Sequence, residues 1–440
     1  LHGPRRHFSI CASGRKYPAF SRVEPLARQS ITTKEIVMRG DMRHVRFGFA
    51  ILAAIAGTAH AQLRYDFSEV TRLAAGAVLG QNVATPLPGF ELLLMKDGTV
   101  VYDESFGRWN NGDVAACDSA TKTLSGATIM SLTDRSASPF SLNTRLVQYV
   151  PAFSGAKAAI TVRQCFSHAS GLADSTAESD PTITLQQAAI QIAAAPLQYL
   201  PGTVFNYGGT SMQAAGAAAE VAAGQQWDAV FDQRIAGPLG LTHTRYVLTS
   251  PDNPRIAGGC ESTASEFASF MEMLRAGGVH DGARILSVSA VTQMFTRQTP
   301  VNIPIAGSPT NSSDYGVGVW LDQRDTQGRL VGALAAGARG FSSWIDFDDG
   351  MVGCLATDLT SYQNVSGLLA LLRDAAQRAA RVGPLCAADF NRDGGIDGAD
   401  VDAFFRAWER GGDNADVNED GGTDFQDVDI FFQVWENGGC

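Results

Sequence analysis

The segment between residues 389 and 427 repeats itself with a period of 27 residues. Asp389, Asn391, Asp393, Gly395, Asp397 and Asp400 recur as Asp416, Asn418, Asp420, Gly422, Asp424 and Asp427. They are positions 1, 3, 5, 7, 9 and 12 of a loop whose sixth residue is glycine both times, Gly394 and Gly421. Alternating side-chain oxygens at this spacing converge on one ion, and the glycine permits the sharp turn. Gly395 and Gly422 would contribute backbone carbonyls. The expected cofactor is therefore Ca2+, as two structural ions, with none required for catalysis. Each loop leads into a similar amphipathic stretch, Val401–Trp408 and Val428–Trp435. Aromatic residues at matched positions argue against a disordered acidic tail. So small and acidic a unit should depend on calcium to fold.

Charge separates this unit from the rest. Residues 386–440 hold 14 Asp and Glu against 3 Lys and Arg, a balance of −11 that equals the formal net charge of the whole chain. Such acidity argues against a nucleic-acid partner. At the other end, residues 1–41 show no sustained periodicity and read as a gene-model extension, with Met38 an alternative start. Met42-Arg43-His44-Val45-Arg46, an apolar run from Phe47 to Gly57, and Ala59-His60-Ala61 read as a signal peptide cleaved before Gln62. The apolar run is too short to cross a bilayer, so the expected location is secreted, cell-surface or periplasmic, with no transmembrane helix in the mature chain. Six cysteines follow residue 61, consistent with an oxidising compartment. Cys386 and Cys440 bracket the acidic unit and are expected to pair; Cys117, Cys165, Cys260 and Cys354 are left open. The boundaries expected are 62–383 for a main domain and 384–440 for the acidic one.

In the main domain, Phe90 to Lys96 reads as a strand, Asp97-Gly98 as a hairpin turn and Thr99 to Phe106 as the returning strand. Helical patterns cover Leu185–Ala194, Ser211–Ala223, Trp227–Ile235 and Ser262–Ala276. Gly316–Leu321, Ser343–Phe347 and Met351–Thr357 read as strands, with Asp348-Asp349-Gly350 turning between the last two. A final helix runs from Gln363 to Arg381. Strands at both ends with helices inserted between them imply an α/β fold: a mostly antiparallel sheet flanked by helices, with a helical subdomain.

Asp118-Ser119-Ala120-Thr121-Lys122 opens a further helical run reaching about Arg135. Residues three apart share a helix face, so the Ser119 hydroxyl and the Lys122 amine can meet. A first-turn serine lies where unpaired N–H groups favour developing negative charge. A neighbouring neutral amine can take the serine proton and make its oxygen a nucleophile.

On these residues, 87–381 resembles the β-lactamase-related serine hydrolases, a group that includes class C β-lactamases, D-Ala-D-Ala carboxypeptidases and esterases. Further matching stretches are Pro88-Gly89-Phe90, Ile160-Thr161-Val162-Arg163, Ser167-His168-Ala169-Ser170-Gly171-Leu172, Pro201-Gly202-Thr203, Pro238-Leu239-Gly240-Leu241 and Asn253 to Gly259 with Ser262-Thr263-Ala264. The resemblance implies a β-lactamase-like fold, Ser119 as nucleophile and Lys122 as its proton-transfer partner. It also implies Tyr207 as the general base that then serves as acid toward the leaving group. The family's Tyr-x-Asn is Tyr207-Gly208-Gly209 here, with glycine in place of Asn. Its Lys or His before x-Gly is replaced at Ala335-Ala336-Gly337. Oxyanion donors would be the backbone N–H groups of Ser119 and Ala338, and a backbone donor survives side-chain change. Gly337 and Arg339 are the expected substrate contacts, the guanidinium standing in for the missing base. His168 is expected to be structural, since the triad alternative has no evident orienting acid. Cys117 is expected to be a disulfide partner or a buried thiol.

The acidic unit resembles a type I dockerin of the kind that ends in Gly-Cys. That implies a cohesin partner or attachment at the cell surface. The function expected is a secreted serine hydrolase, esterase-like, cleaving an ester or amide through an acyl-enzyme and tethered by the dockerin-like module. The rivals are a β-lactamase or D-Ala-D-Ala carboxypeptidase, and a catalytically silent cell-surface binding protein.

Overall fold

The computed structural model describes residues 65–134, 139–309, 312, 314–382, 386–391, 395–412, 415–417 and 422–436. The expected signal peptide, Asp393, Asn418, Asp420 and Cys440 lie outside these residues. Among those described, no helix is long and apolar enough to cross a membrane.

The helices that matter for the site are α1 (Ser68–Val78), α2 (Thr121–Thr133), α3 (Leu185–Ala194), α4 (Thr210–Ala223), α5 (Ala264–Arg275) and α6 (Ser366–Val382). The strands are β1 (Gly89–Lys96), β2 (Thr99–Gly107), β3 (Trp320–Arg324), β4 (Leu330–Ala336), β5 (Ser342–Asp346) and β6 (Met351–Ala356). They form one six-stranded sheet in the order β3-β4-β5-β6-β1-β2, antiparallel throughout. The α/β expectation with an antiparallel sheet is met.

Both sheet faces are covered, which explains why β1 reads as a continuous apolar run rather than an alternating one. Leu92 and Leu94 join Val70 and Leu73 of α1 and Leu368 and Leu372 of α6 in one core. Leu93 and Met95 point the other way, into a second core with Phe267, Phe270 and Leu274 of α5. That second core also receives α2, whose residues Thr121 to Leu132 are all buried. A helix buried all round needs its polar groups satisfied. Thr123 Oγ1 donates to Gly318 O, Ser125 Oγ to Ile256 O and Thr128 Oγ1 to Leu124 O. Gly126 fits because a Cβ there would lie 2.4 Å from Val317 O.

Three assignments from the sequence are corrected. Gly316–Val319 is a turn rather than a strand: Gly318 has φ +76°, and its Cα packs so closely on α2 that a Cβ would lie 2.1 Å from Lys122 O. Val317 and Val319 are apolar because the turn is buried, and the strand begins at Trp320. The helix expected from Ser262 starts at Ala264, since the Thr263 side chain accepts the Glu266 N–H as its N-cap and Cys260–Ser262 pairs as a short strand. The helix expected over Trp227–Ile235 is α-helical only to Phe231 and continues as a wider π turn, Asp232–Ala236.

In the acidic unit, α7 (Gly398–Trp408) and α8 (Phe425–Glu436) follow the two loops. Phe404 and Phe431, one repeat apart, stack with centroids 4.2 Å apart and planes 3° from parallel. The contacts around them are reciprocal: Trp408 Nε1 donates to Asp424 O at 2.8 Å, and Trp435 Nε1 to Asp397 O at 3.3 Å. Each helix thus ties down the other repeat's loop, as two equivalent units packed about an approximate twofold axis would. Cys386 is disulfide-bonded, while its expected partner Cys440 is not among the described residues. Cys117, Cys165, Cys260 and Cys354 are buried free thiols.

Candidate active site

Ser119 lies in a tight 3-10 turn, Asp118–Ala120, that runs directly into α2. The turn is strained: Asp118 has φ +46°, unusual for a residue with a side chain. Its carboxylate explains how it is held there. Asp118 Oδ2 accepts the Arg339 N–H at 3.0 Å and Nε at 3.1 Å, and Oδ1 accepts an Nη of Arg339 at 3.2 Å. The chain leaving β4 is thereby fixed against the nucleophile's turn. Gly337 allows the approach, because a Cβ there would lie 2.4 Å from Cys117 O.

This arrangement leaves two backbone N–H groups available to a ligand. Gly337 N–H donates to Phe341 O and Arg339 N–H to Asp118, while among the described residues no acceptor takes the Ala338 N–H between them. Ser119 N–H belongs to the first helical turn, where no intrahelical acceptor precedes it. Both residues line one cavity of about 580 Å³.

Lys122 Nζ is 2.9 Å from Ser119 Oγ and donates to Ala257 O at 2.9 Å. The lysine is 4% exposed, and no carboxylate pairs with it among the described residues. Nζ also sits 4.7 Å from the ring centroid of Tyr207. Tyr207 is stacked on Trp320 with centroids 5.3 Å apart. Ser119, Lys122, Tyr207 and Ala338 therefore meet in a single cavity.

His168 holds Tyr207 in place. Its backbone carbonyl accepts the Asn206 N–H at 2.8 Å, and its Nδ1 accepts the Gly208 N–H at 3.4 Å. The two neighbours of Tyr207 are thus tied to one residue, whose ring lies 4.5 Å from the tyrosine's. Burial, and then the Lys122 charge, push the imidazole pKa well below its usual value, so the ring is neutral. No hydrogen bond joins it to Ser119 among the described residues. Cys117 is fully buried and its thiol is pushed up by that burial, which makes it a poor nucleophile.

Arg339 falls elsewhere than expected. Its guanidinium is taken by Asp118 and by Asp358 at 3.1 Å, and it lines a neighbouring cavity with Arg108 and Asn364 rather than the one holding Ser119. Gly337 backs the oxyanion turn instead of touching the cavity. The cation that does line the cavity is Arg255, accompanied by Asp174 and Glu178. Arg255 lay within the Asn253–Gly259 stretch without a role, and nothing in the local sequence marks Asp174 or Glu178.

In the acidic unit, Asp400 is fully buried; its Oδ1 accepts the Asn391 N–H at 3.0 Å and its Oδ2 the Asp397 N–H at 2.8 Å. Asp427 matches it, buried and accepting the Asp424 N–H at 2.8 Å. No cationic side chain pairs with Asp400 among the described residues. A buried carboxylate with no cationic side chain beside it, in an all-oxygen donor set, fits a hard divalent ion. Within the described residues alone, no cluster of three or more His, Cys, Asp or Glu reaches metal-binding geometry.

A model of the Beta-lactamase family matches residues 76–377. A protein of Escherichia coli (strain K12), provisionally named a D-alanyl-D-alanine carboxypeptidase, is 24% identical over 212 residues, 41% of this chain and 46% of the relative. The match thus spans about half the length of that curated relative. Among solved structures, a penicillin-binding protein homologue from Caulobacter crescentus superposes with a TM-score of 0.59 at 19% identity, covering 72% of this chain and 99% of that one. A family VIII carboxylesterase superposes with a TM-score of 0.59 at 16% identity, with the same coverage. At such identities the likeness is one of fold, but the family match covers most of the chain and carries the Ser119 turn, Lys122 and Tyr207 within it: the chain belongs to the Beta-lactamase family.

Proposed function

We propose that this protein is a secreted serine acyl hydrolase, esterase-like in preference, tethered through a calcium-binding, dockerin-like module. The observation that carries the catalytic reading is the 2.9 Å contact of Lys122 Nζ with Ser119 Oγ, in one cavity with Tyr207 and the free Ala338 N–H. Ser119 Oγ attacks the substrate carbonyl while its proton passes to the Lys122–Tyr207 pair. The tetrahedral oxyanion accepts hydrogen bonds from Ser119 N–H and Ala338 N–H. Collapse breaks the bond to the leaving group, which takes the proton back through Tyr207, and leaves an acyl-serine. Water then attacks the acyl carbonyl, its proton following the same route, and Ser119 is regenerated with release of the acid.

The esterase preference rests on what the cavity does not offer. Position 209 has no amide, position 335 no basic residue, and Arg339 is committed to two carboxylates. An ester needs fewer polar grips than a β-lactam or a peptide ending in a free carboxylate.

Calcium would be held by Asp389, Asn391, Asp393, Gly395, Asp397 and Asp400, and by Asp416, Asn418, Asp420, Gly422, Asp424 and Asp427. When bound it supplies the charge that lets so many carboxylates converge. A Cys386–Cys440 disulfide would clasp the module, and a cohesin or the cell surface would be its partner. Unchanged surface retention of a Cys440→Ser variant would sink anchoring through that residue.

The test of the catalytic reading uses residues 62–440 with calcium, beside a Ser119→Ala control. Turnover of short-chain p-nitrophenyl esters that vanishes in the variant, with little turnover of a chromogenic cephalosporin, is the expected outcome. Fast cephalosporin turnover would replace the esterase reading with a β-lactamase. No turnover of either by folded protein would replace it with a silent binding role.

A further inference from the structure

We infer that the cavity selects acyl donors carrying a free ammonium group close to the scissile carbonyl, with Glu178 and Asp174 as the residues that read it. This rests on the hydrolase reading above and names the substrate class of that same site.

Gly209 is the starting point. Its φ is −100°, a conformation open to any residue, so backbone freedom does not explain the glycine. Space does: a Cβ at Gly209 would lie 2.4 Å from Glu178 Oε2 and 2.9 Å from Oε1. A Cβ at Gly208 would lie 3.3 Å from Asp174 Oδ1. The side chain missing after Tyr207 is therefore not a gap. A carboxylate delivered from the Thr176–Ser179 turn fills the place, and Gly209 and Glu178 form a matched pair.

Glu178 is built into that position. Thr210 Oγ1 donates to its Oε2 at 3.2 Å, and an Nη of Arg255 reaches its Oε1 at 3.3 Å. Buried Asn253 anchors the turn that carries it, its Nδ2 donating to Ala177 O and Asp180 O at 2.9 Å each. Both contacts to Glu178 are long for charged partners, and Arg255 is 42% exposed, so the carboxylate keeps acceptor capacity toward the cavity. Asp174 has no hydrogen bond or ion pair among the described residues and lines the same cavity. Asp118, the third acid there, is consumed by Arg339.

This acidic wall lines the same 580 Å³ cavity as Ser119 and Lys122. An acyl group whose carbonyl sits at Ser119 thus shares its cavity with two carboxylates. An α-ammonium group offers them a charged donor; an amide N–H offers a weaker, neutral one, and a carboxylate offers none. A charge-assisted hydrogen bond of this kind is worth roughly ten- to a hundredfold in selectivity.

The experiment compares matched methyl esters followed by acid release: D- and L-alanine methyl ester, N-acetyl-alanine methyl ester and monomethyl succinate. It runs at about pH 6.5, below the range where an α-amino group loses its proton. The expected result is a kcat/KM for one alanine ester about tenfold or more above its N-acetyl counterpart, with the succinate ester slowest. Glu178→Gln and, separately, Asp174→Asn should each lower that ammonium-to-acetyl ratio about tenfold or more, chiefly through KM. Ratios near one in the wild type, or unchanged in both variants, overturn the selection while leaving the hydrolase intact. If no ester is turned over and Ser119→Ala is indistinguishable, the hydrolase reading falls and takes this inference with it.

Discussion

The β-lactamase-family domain and the acidic module handle buried charge in opposite ways. The first encloses its sheet between two large apolar cores and can hide polar groups by satisfying them one at a time, as α2 does with its hydroxyls. The second has, among its described residues, a buried cluster of Phe404, Ala407, Ala415 and Phe431, yet it buries Asp400 and Asp427 completely. So small a core cannot absorb two such desolvated carboxylates. One region is held by packing; the other is proposed to be held by an ion.

The largest expected effect separates the two by activity. Ser119→Ala should lower ester kcat by about 10³-fold or more, since the nucleophile acts as a unit with Lys122 and Tyr207. Calcium-dependent protection of the module, read by hydrogen exchange, should not change. A variant that loses that protection as well would erase the division.

Chelation should do the reverse. Removing calcium is expected to cost the module about 2–3 kcal/mol for each of the two proposed ions, relative to an ion concentration a hundredfold above Kd. Amides of α7 and α8 should then exchange with their loops, while ester turnover by the same preparation is retained. If both helices stay protected without calcium, Phe404 and Phe431 suffice and the contrast is wrong.

A third test asks whether packing alone positions the catalytic groups. His168→Ala removes the Nδ1 acceptor for Gly208 and the ring beside Tyr207, so kcat should fall about 10–100-fold with little change in KM. Because the native imidazole is held neutral, the wild-type rate profile should show no step from it near pH 6.5. The unfolded chain binds that proton more readily, so His168 should lower stability as pH falls below 6.5. A general-base role would instead appear as a rate step that the variant abolishes.

How much of this was legible in the sequence follows the same division. Local chemistry could be read directly: the β1–β2 hairpin from Asp97-Gly98, α3 to the residue, and the Ser119–Lys122 pair from helical spacing. The duplicated loops were legible as a 27-residue repeat of acidic and glycine positions. Strand β4 was missed, since its Ala333-Leu334-Ala335-Ala336 run has little intrinsic strand preference and is held by β3 and β5 on either side. Glu178 and Asp174 were missed for a plainer reason. They reach Gly209 and Gly208 through the fold, and the only trace in the sequence was an absent side chain at Gly209.

The smallest effect concerns a buried carboxylate of the β-lactamase-family domain, a counterpart of Asp400. Glu91 of β1 is 1% exposed and accepts the Gly112 N–H at 2.9 Å, beside Asp103. Burial first, and the neighbouring Asp103 charge in addition, raise its pKa from 4.5 to about 7. Here the solution is a proton, where an ion is proposed for the module. Between about pH 4.5 and 7 the folded chain keeps that proton and the unfolded chain has lost it, so the stability it contributes is complete below the first value and declines as pH rises through the second. Glu91→Gln keeps an acceptor for Gly112 and removes the ionisation. It should raise the β-lactamase-family domain's stability at pH 8 by about 1–3 kcal/mol and change it little at pH 4.5. Thermal melts of both proteins across that range measure it. A parallel pH dependence in the two would mean that Glu91 is ionised throughout, with a compensating cation. The packed domain would then be handling buried charge as the module is proposed to do.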